Sequence, residues 1–293
     1  MKHIILIVCA FLASCNVANK DPYDYAVCWE ISKDDSNPSY ILGSIHSLDT
    51  TKITLPIATI TELVDKCAVL SCEAEVDSAA HVRLLKMSFL KDTTSNITNT
   101  LSRDYYEKLI QIMDSSKTEL KHLKPVLPYI NPSLLAFMVT GEQQLGTSNL
   151  YERTNFSMDS YLRDYAYSKK YDVIGLESVE DYEPMFSASL EESIKILEES
   201  IDNYYSDSPD APDDMIENYV NQNIRLLKHE IYADSTMIRR NKKMADGIDG
   251  IMQSKPVFVV IGAAHLPYEH GVLSLLKDRG YTIKPYPIVI SKK

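Results

Sequence analysis

Residues 257–265 read Val-Phe-Val-Val-Ile-Gly-Ala-Ala-His. Five consecutive apolar residues predict a strand that is buried on both faces, which is typical of a parallel strand covered by helices. Gly262 predicts a sharp end to this strand, and His265 follows three positions later. The next helix is predicted over residues 271–279, with Gly280 as its C-terminal cap. A buried strand that leads through a glycine turn into a helix indicates an α/β arrangement.

A second strand with the same ending lies near the N-terminus. Residues 26–31 and 40–46 are predicted to form a hairpin around a polar turn, and the return strand ends in Gly43-Ser44-Ile45-His46. A last strand is predicted over residues 281–290. The two Gly-x-x-His segments therefore stand at the ends of an N-terminal and a C-terminal strand.

The middle of the chain is predicted to be mainly helical. The apolar spacing and capping residues indicate helices over 56–66, 77–90, 101–113, 131–139, 158–169, 189–205, 215–233 and 236–251. Residues 141–157 are predicted to be a polar loop. We therefore expect an α/β or α+β domain, with a mixed central sheet from the N- and C-terminal strands and a helical middle region.

Two further strands carry carboxylates. The strand predicted over residues 68–76 contains Glu73 and Glu75, which share one face because strand neighbours two apart point the same way. The strand over residues 172–176 is followed directly by Glu177. These glutamates face either solvent or a polar cavity that holds a cation, and Glu177 could also be a simple acidic residue of the following turn. Likewise, His46 and His265 are either structural side chains or ligands at strand ends, where α/β proteins bind their ligands.

Polar residues on two predicted helices are further candidates for the site. Arg240 and Asn241 lie in a charged helix, so they belong to a solvated face, or Arg240 holds a carboxylate or an oxyanion. Asp159 stands at a helix start, where a negative charge favours the helix dipole. The chain contains no Gly-x-Ser-x-Gly, P-loop, Gly-x-Gly-x-x-Gly or His-Glu-x-x-His motif.

The N-terminus is typical of an exported lipoprotein. A positive start, an apolar run from Ile4 to Ala13 and small residues before Cys15 indicate a signal segment over residues 1–14 and a lipid attached at Cys15. A buried strand, or a plain signal with a chance cysteine, is the simpler interpretation. We expect a lipidated tether over residues 15–25 and one domain over residues 26–293. Asn16 after the cysteine favours the outer membrane, with the domain in the cell envelope facing the periplasm or the outside.

The net charge bears on the possible binding partners, and the cysteines bear on the possible disulfides. The formal net charge is −11, which disfavours binding to nucleic acid. Three cysteines remain in the mature domain, Cys28, Cys67 and Cys72. One disulfide between Cys28 and either of the others is possible outside the cytoplasm, and buried free thiols are the alternative.

Ordered segments of the chain resemble the TraB/GumN family, which includes the TIKI proteins and is distantly similar to erythromycin esterase and ChaN-type proteins. The resemblance runs from Tyr40 to about Tyr286 and rests on 42–46, 70–73, 158–162, 174–178, 240–241 and 260–266, then Gly271 and Gly280-Tyr281. Two positions depart from the family pattern. Tyr268 replaces a usual glycine and Tyr182 replaces a frequent glutamine, and both changes concern substrate contacts more than metal ligation.

The resemblance implies an erythromycin-esterase/ChaN-like fold and a metal-dependent, hydrolase-like site. TIKI members are described as proteases that use manganese or cobalt, and imidazole with carboxylate ligands also suits zinc. We therefore expect a divalent ion (Mn, Co or Zn) held by His46, Glu73, Glu177 and His265. The catalytic side chains expected beside it are Glu75, Asp159, Arg240 and Asn241.

The expected protein is a lipid-anchored hydrolase that acts on a peptide or on a small molecule such as an ester. The alternative is a non-catalytic binding lipoprotein that sequesters a peptide or other small ligand, as relatives linked to pheromone shutdown suggest. A haem- or iron-binding role is a third interpretation, by analogy with ChaN.

Overall fold

A computed structural model describes residues 26–34, 36–45, 50, 53–74, 78–92, 95–116, 119–146, 157–206, 215–225 and 233–293. The strands are β1 (Cys28–Ser32), β2 (Ser39–Ser44), β3 (Ile53–Thr54), β4 (Val69–Ala74), β5 (Asp172–Glu177), β6 (Phe258–Gly262), β7 (Thr282–Pro285) and β8 (Ser291–Lys292). The α-helices are α1 (Ile57–Cys67), α2 (Ser78–Met87), α3 (Ile97–Thr100), α4 (Arg103–Ser115), α5 (Pro132–Gly146), α6 (Met158–Ser168), α7 (Glu183–Phe186), α8 (Leu190–Tyr205), α9 (Met215–Val220), α10 (Ser235–Met252) and α11 (Val272–Asp278). Short 3₁₀ helices cover Glu119–Tyr129, Val179–Asp181 and Ala263–His265.

The sheet is mixed, as predicted. Six strands follow the order β5-β4-β6-β2-β1-β7, and β3 pairs with β8 in a separate two-stranded sheet. The neighbours β5, β4, β6 and β2 are parallel, whereas β1 is antiparallel to both β2 and β7. Every residue of β6 is buried, because its apolar side chains are covered on both faces. The prediction of an α/β fold is confirmed, and the finer likeness to erythromycin esterase and ChaN stays a prediction.

The register of the parallel strands brings their carboxyl ends to one edge. Ser44 of β2 lies opposite Gly262 of β6, and Ala74 of β4 lies opposite Glu177 of β5. We call this edge the site edge.

The described residues form two hydrophobic clusters. One surrounds the sheet, with Trp29, Ile41, Leu70 and Phe258 among its fully buried members. The other lies in the helical middle and joins α3, α4, α5 and α8 to the 3₁₀ helix at 119–129. Its buried residues are Ile97, Leu101, Leu109, Ile112, Met113, Leu120, Leu127, Ile130, Leu135, Ala136, Val139, Ile194, Leu197 and Ile201.

Three predicted elements differ from the structure. Helix α5 continues to Gly146, so residues 141–146, which were predicted to be loop, are helical. Helix α9 ends at Val220, where the prediction ran to residue 233, and Gln222 takes a left-handed φ of 61° that no helix continues through. The last strand, predicted over residues 281–290, forms only as β7 and ends at Pro285, and β8 lies beyond the predicted range. Pro287, which follows β7, cannot donate to a sheet.

The cysteines of the domain are thiols. Cys28, Cys67 and Cys72 are all buried and none forms a disulfide, so the alternative of buried thiols holds.

In the described part of the chain, no helix combines the length and the apolar character needed to span a bilayer. The predicted signal segment, Cys15 and the tether to residue 25 lie outside the described residues.

Candidate functional site

A charged cluster occupies the site edge, where β4, β5 and β6 end and helix α10 passes over them. Arg240 of α10 donates from Nε to Glu177 Oε1 and from Nη2 to Glu177 Oε2, each at 2.7 Å. The same Nη2 lies 3.4 Å from Glu73 Oε2. The Glu177 side chain is fully buried, while those of Arg240 and Glu73 are 15% and 14% exposed. The cluster is therefore a bidentate pair of Arg240 with Glu177, with the carboxylate of Glu73 beside it. Arg240 and Glu73 are each partly exposed to solvent.

The electrostatics of Arg240 favour its charged form. Burial opposes the charge, but the hydrogen bonds and negative charge of Glu177, together with the charge of Glu73, outweigh burial and raise the pKa of Arg240. A buried carboxylate requires such a partner, because an isolated charge in the protein interior is costly. Arg240 is therefore charged, and its two hydrogen bonds to Glu177 hold it in one orientation.

Tyr182 completes the surroundings of this pair. Its hydroxyl donates to Glu177 Oε2 at 3.0 Å, and its ring lies 5.2 Å from the guanidinium carbon of Arg240. Burial, with the charges of Glu177 and Glu73, raises the pKa of Tyr182. Tyr182 thus fixes the arginine and the carboxylate at once.

Glu73 links this cluster to the end of β6. Its Oε1 accepts a hydrogen bond from the backbone N–H of Gly262 at 2.5 Å. The same oxygen lies 3.8 Å from Nε2 of His265. The turn after β6 therefore places an imidazole nitrogen and a carboxylate oxygen face to face.

Asn241 determines which nitrogen of His265 carries a proton. Its Nδ2 donates to the backbone carbonyl of His270 at 2.9 Å, and its Oδ1 lies 2.6 Å from Nδ1 of His265. A carbonyl can only accept, so the Asn241 amide has one possible orientation and its oxygen faces the ring. Nδ1 of His265 must then be the donor, and in the neutral ring Nε2 presents its lone pair towards Glu73.

A second polar group lies where β2 ends. The hydroxyl of Ser44 donates to Asp159 Oδ1 at 2.8 Å, and Asp159 stands in the first turn of α6. Tyr219 of α9 is fully buried and donates from its hydroxyl to the carbonyl of Gly43 at 2.7 Å. Burial, with the charge of Asp159, raises the pKa of Tyr219. Asp159 therefore joins α6 to the end of β2, in addition to its favourable place on the helix dipole.

The structure brings together some of the residues predicted for the site. Glu73, Glu177, Arg240, Asn241 and His265 form one connected group. Both oxygens of Glu177 are used by Arg240, so the structure shows Glu177 orienting the arginine, and its role as a metal ligand stays a prediction. His46 and Glu75 lie outside the described residues. Among the residues that are described, no three His, Cys, Asp or Glu side chains come together as a metal-holding group.

Three contributors were not predicted as site residues. Tyr182 and the Gly262 N–H both contact the glutamates, and Ser44 contacts Asp159. The departure from the family pattern at Tyr182 was the only signal that could have indicated its role. Tyr268, the other departure, takes a left-handed φ of 68° and stacks on Arg225, whose guanidinium carbon lies 4.8 Å from the ring centre.

The chain is similar to one protein family over most of its length. The model of the TraB/PrgY/gumN family matches residues 27–285, from the start of β1 to the end of β7. No curated protein and no solved structure matches the chain. Since the match covers most of the sequence, including every described residue of the site edge, the chain belongs to the TraB/PrgY/gumN family.

Proposed function

We propose that the protein is a metal-dependent hydrolase of a peptide or ester, anchored in the cell envelope by a lipid on Cys15. The observation that carries the proposal is the pair formed by His265 Nε2 and Glu73 Oε1, which face each other at 3.8 Å. Imidazole nitrogen and carboxylate oxygen are ligands that Zn²⁺ and Mn²⁺ accept. The Asn241 hydrogen bond to Nδ1 resembles the support that metal-binding histidines usually receive.

The described donors fit part of a metal site. His265 and Glu73 would supply two ligands, and His46, which follows β2 two residues later in the sequence, is proposed as the third. Glu177 is assigned here to the orientation of Arg240. A divalent ion at this place would lower the pKa of a bound water to about 7 and so supply a nucleophile.

The chain's own residues would bind and orient the substrate. Arg240 uses Nε and Nη2 on Glu177, so Nη1 is the nitrogen proposed to hold a substrate oxygen that gains negative charge. Because Glu177 and Tyr182 fix the guanidinium, little reorientation would be needed when that charge develops. Glu75 is proposed as a general base.

The proposed metal site is tested by measuring the metal content of the protein and its variants. The purified protein, after mild chelation and reloading with Zn²⁺ or Mn²⁺, is compared with His265→Ala and Glu73→Gln. His122→Ala is the matched control, since His122 is exposed on the 3₁₀ helix at 119–129. We expect both site variants to lose metal and the control to keep it. Equal metal content in all proteins would contradict the proposal.

Turnover separates the two functions expected from the sequence. Hydrolysis of members of a peptide and ester library by the metal-loaded protein supports the hydrolase. Metal binding without any hydrolysis supports a binding lipoprotein. Membrane attachment is tested separately with Cys15→Ala. Normal processing and membrane binding of that variant would rule out the lipid anchor.

A further inference from the structure

The chain enters the domain at the site edge. Strand β1 is antiparallel to β2, with Cys28 opposite Leu42. The backbone N–H of Gly43 donates to the carbonyl of Val27 at 2.7 Å, so the beginning of β1 lies beside the end of β2. Because β2 ends at the same edge as β4, β5 and β6, the N-terminal segment joins the domain where the charged cluster lies.

The lateral distance from this entry point to the site is short. From β1, the order of the sheet is β2, β6 and then β4, which carries Glu73. Neighbouring strands are about 4.8 Å apart, so three spacings place Glu73 ~14 Å from the start of β1. The exposed sides of Glu73 and Arg240 open at this edge.

The length of the chain between Cys15 and the domain limits the distance between the site edge and a lipid attached to Cys15. The chain from Cys15 to Ala26 is about 11 residues long and spans at most ~40 Å when fully extended. The amino ends of the parallel strands lie one strand length further along the sheet, so the greatest distance that the tether allows them from the lipid is larger by about 20 Å.

We infer that the site faces the bilayer and that its substrate is a peptide segment held at the membrane surface. This inference rests on the lipid anchor and hydrolase of the proposed function. A segment that extends from a membrane-anchored protein reaches the space between the bilayer and the site edge. A folded soluble protein would have to enter that space from the side.

Energy transfer to the membrane measures the orientation without any substrate. The acylated full chain is reconstituted in phosphatidylcholine vesicles that contain a trace of headgroup-labelled acceptor lipid. A donor dye is attached at Glu180→Cys, beyond the carboxyl end of β5, or at Lys170→Cys, before its amino end. Both positions are exposed, and labelling is selective because Cys28, Cys67 and Cys72 are buried. The six residues of β5 separate the two labels by at least ~20 Å.

We expect several-fold faster energy transfer from position 180 than from position 170. A Gly/Ser insertion of about 20 residues between Lys20 and Asp21 is expected to reduce that difference, because it lengthens the tether. Equal transfer from the two labels, or faster transfer from position 170, would overturn the inference. Loss of membrane attachment in the acylated protein would instead overturn the lipid anchor and the inference together.

The substrate class is measured with one peptide library presented in two ways. The library is displayed on vesicles through lipid anchors or left free in solution. We expect faster cleavage of the displayed form by the acylated protein, and loss of this preference in Cys15→Ala. Equal cleavage of both forms refutes the substrate class only. Cleavage of neither form refutes the hydrolase, whereas the orientation is still decided by energy transfer.

Discussion

At the scale of single residues, consecutive positions on one helix hold both halves of the site. Arg240 binds Glu177 and Glu73, and Asn241 binds His265, which faces Glu73 in turn. The side chains of Arg240, Glu73, His265 and Asn241 thus form a chain of contacts that begins and ends on consecutive residues of α10. A change at any one of them is expected to alter the orientation of its neighbours.

Asn241 can be tested through the tautomer of His265. Long-range ¹H–¹⁵N spectra of the metal-free protein should show His265 with its proton on Nδ1, whereas imidazole in water favours Nε2. Asn241→Leu should shift the ring towards the Nε2–H form and weaken Zn²⁺ binding by about 10- to 100-fold. Asn241→Asp keeps the accepting oxygen and should keep the tautomer. An Nε2–H ring in the unaltered protein would contradict this assignment.

Arg240 is expected to matter for stability as well as for substrate. Arg240→Leu leaves the fully buried Glu177 carboxylate without its cation, which should cost about 3–5 kcal/mol in the free energy of urea unfolding. Arg103→Ala is the control, since the pair of Arg103 with Glu107 is largely exposed and should contribute less than ~0.5 kcal/mol. A loss below 1 kcal/mol for Arg240→Leu, on the same order as the control, would show that Glu177 does not depend on the arginine.

The left-handed backbone of Tyr268 can be tested by comparing the stabilities of its glycine and alanine variants. Both Tyr268→Gly and Tyr268→Ala lose the stack on Arg225, but only glycine adopts a φ of 68° without steric cost. The glycine variant should therefore be more stable than the alanine variant by about 1 kcal/mol in urea unfolding. The opposite order would mean that the backbone relaxes out of the left-handed region.

At the scale of elements, the end of β2 packs closely against the turn that follows β6. A Cβ on Gly43 would lie 2.7 Å from Leu266 Cδ1 and 3.1 Å from Ala263 Cα. This close approach explains why the next-to-last residue of β2 is a glycine. The two Gly-x-x-His segments are thereby in direct contact.

A pair of glycine-to-alanine changes tests this packing. Gly43→Ala should destabilise the protein by about 1–3 kcal/mol, because the added methyl group displaces Leu266. Gly250→Ala in α10 has nothing within 4 Å of the new Cβ and should stabilise by about 0.5–1 kcal/mol. Urea unfolding measures both. If the two changes had the same sign, the contact between β2 and the turn would not be tight.

At the scale of the whole molecule, one apolar cluster surrounds the sheet and another fills the helical middle. The sheet cluster contains the three thiols, since Cys28, Cys67 and Cys72 are among its buried members. Burial raises the pKa of Cys28 to about 12 and that of Cys67 to about 12. Both thiols therefore remain protonated in the folded protein over the pH range in which an unfolded chain ionises them.

This difference predicts an alkaline loss of stability. An unfolded thiol ionises near pH ~8.5, so above that pH the unfolded chain holds fewer protons than the folded one. The thiol contribution is complete below that pH and is lost as the pH rises towards about 12. Urea unfolding between pH 8 and pH 11 should show this decline, with a shallower slope in the Cys28→Ala/Cys67→Ala double variant. An unchanged slope would show that other groups, such as the buried tyrosines, cause the decline.

Periodicity and residue type alone predicted most elements of this protein. The apolar run at 257–261 is the central buried strand, and the helices around Leu63, Leu162, Leu197 and Met244 form where their spacing predicts. These features depend on neighbours within a few positions, so local sequence is sufficient. The early end of α9 coincides with the left-handed backbone of Gln222, which periodicity does not reveal.

Only the tertiary structure decided what the polar residues do. Sequence and family resemblance selected Glu73, Glu177, Arg240, Asn241 and His265, but not which of them touch. The register of four parallel strands and the position of α10 assign Glu177 to the arginine and Asn241 to the histidine. These partners are far apart in sequence, and hydrogen bonds between such residues arise only when the sheet has formed.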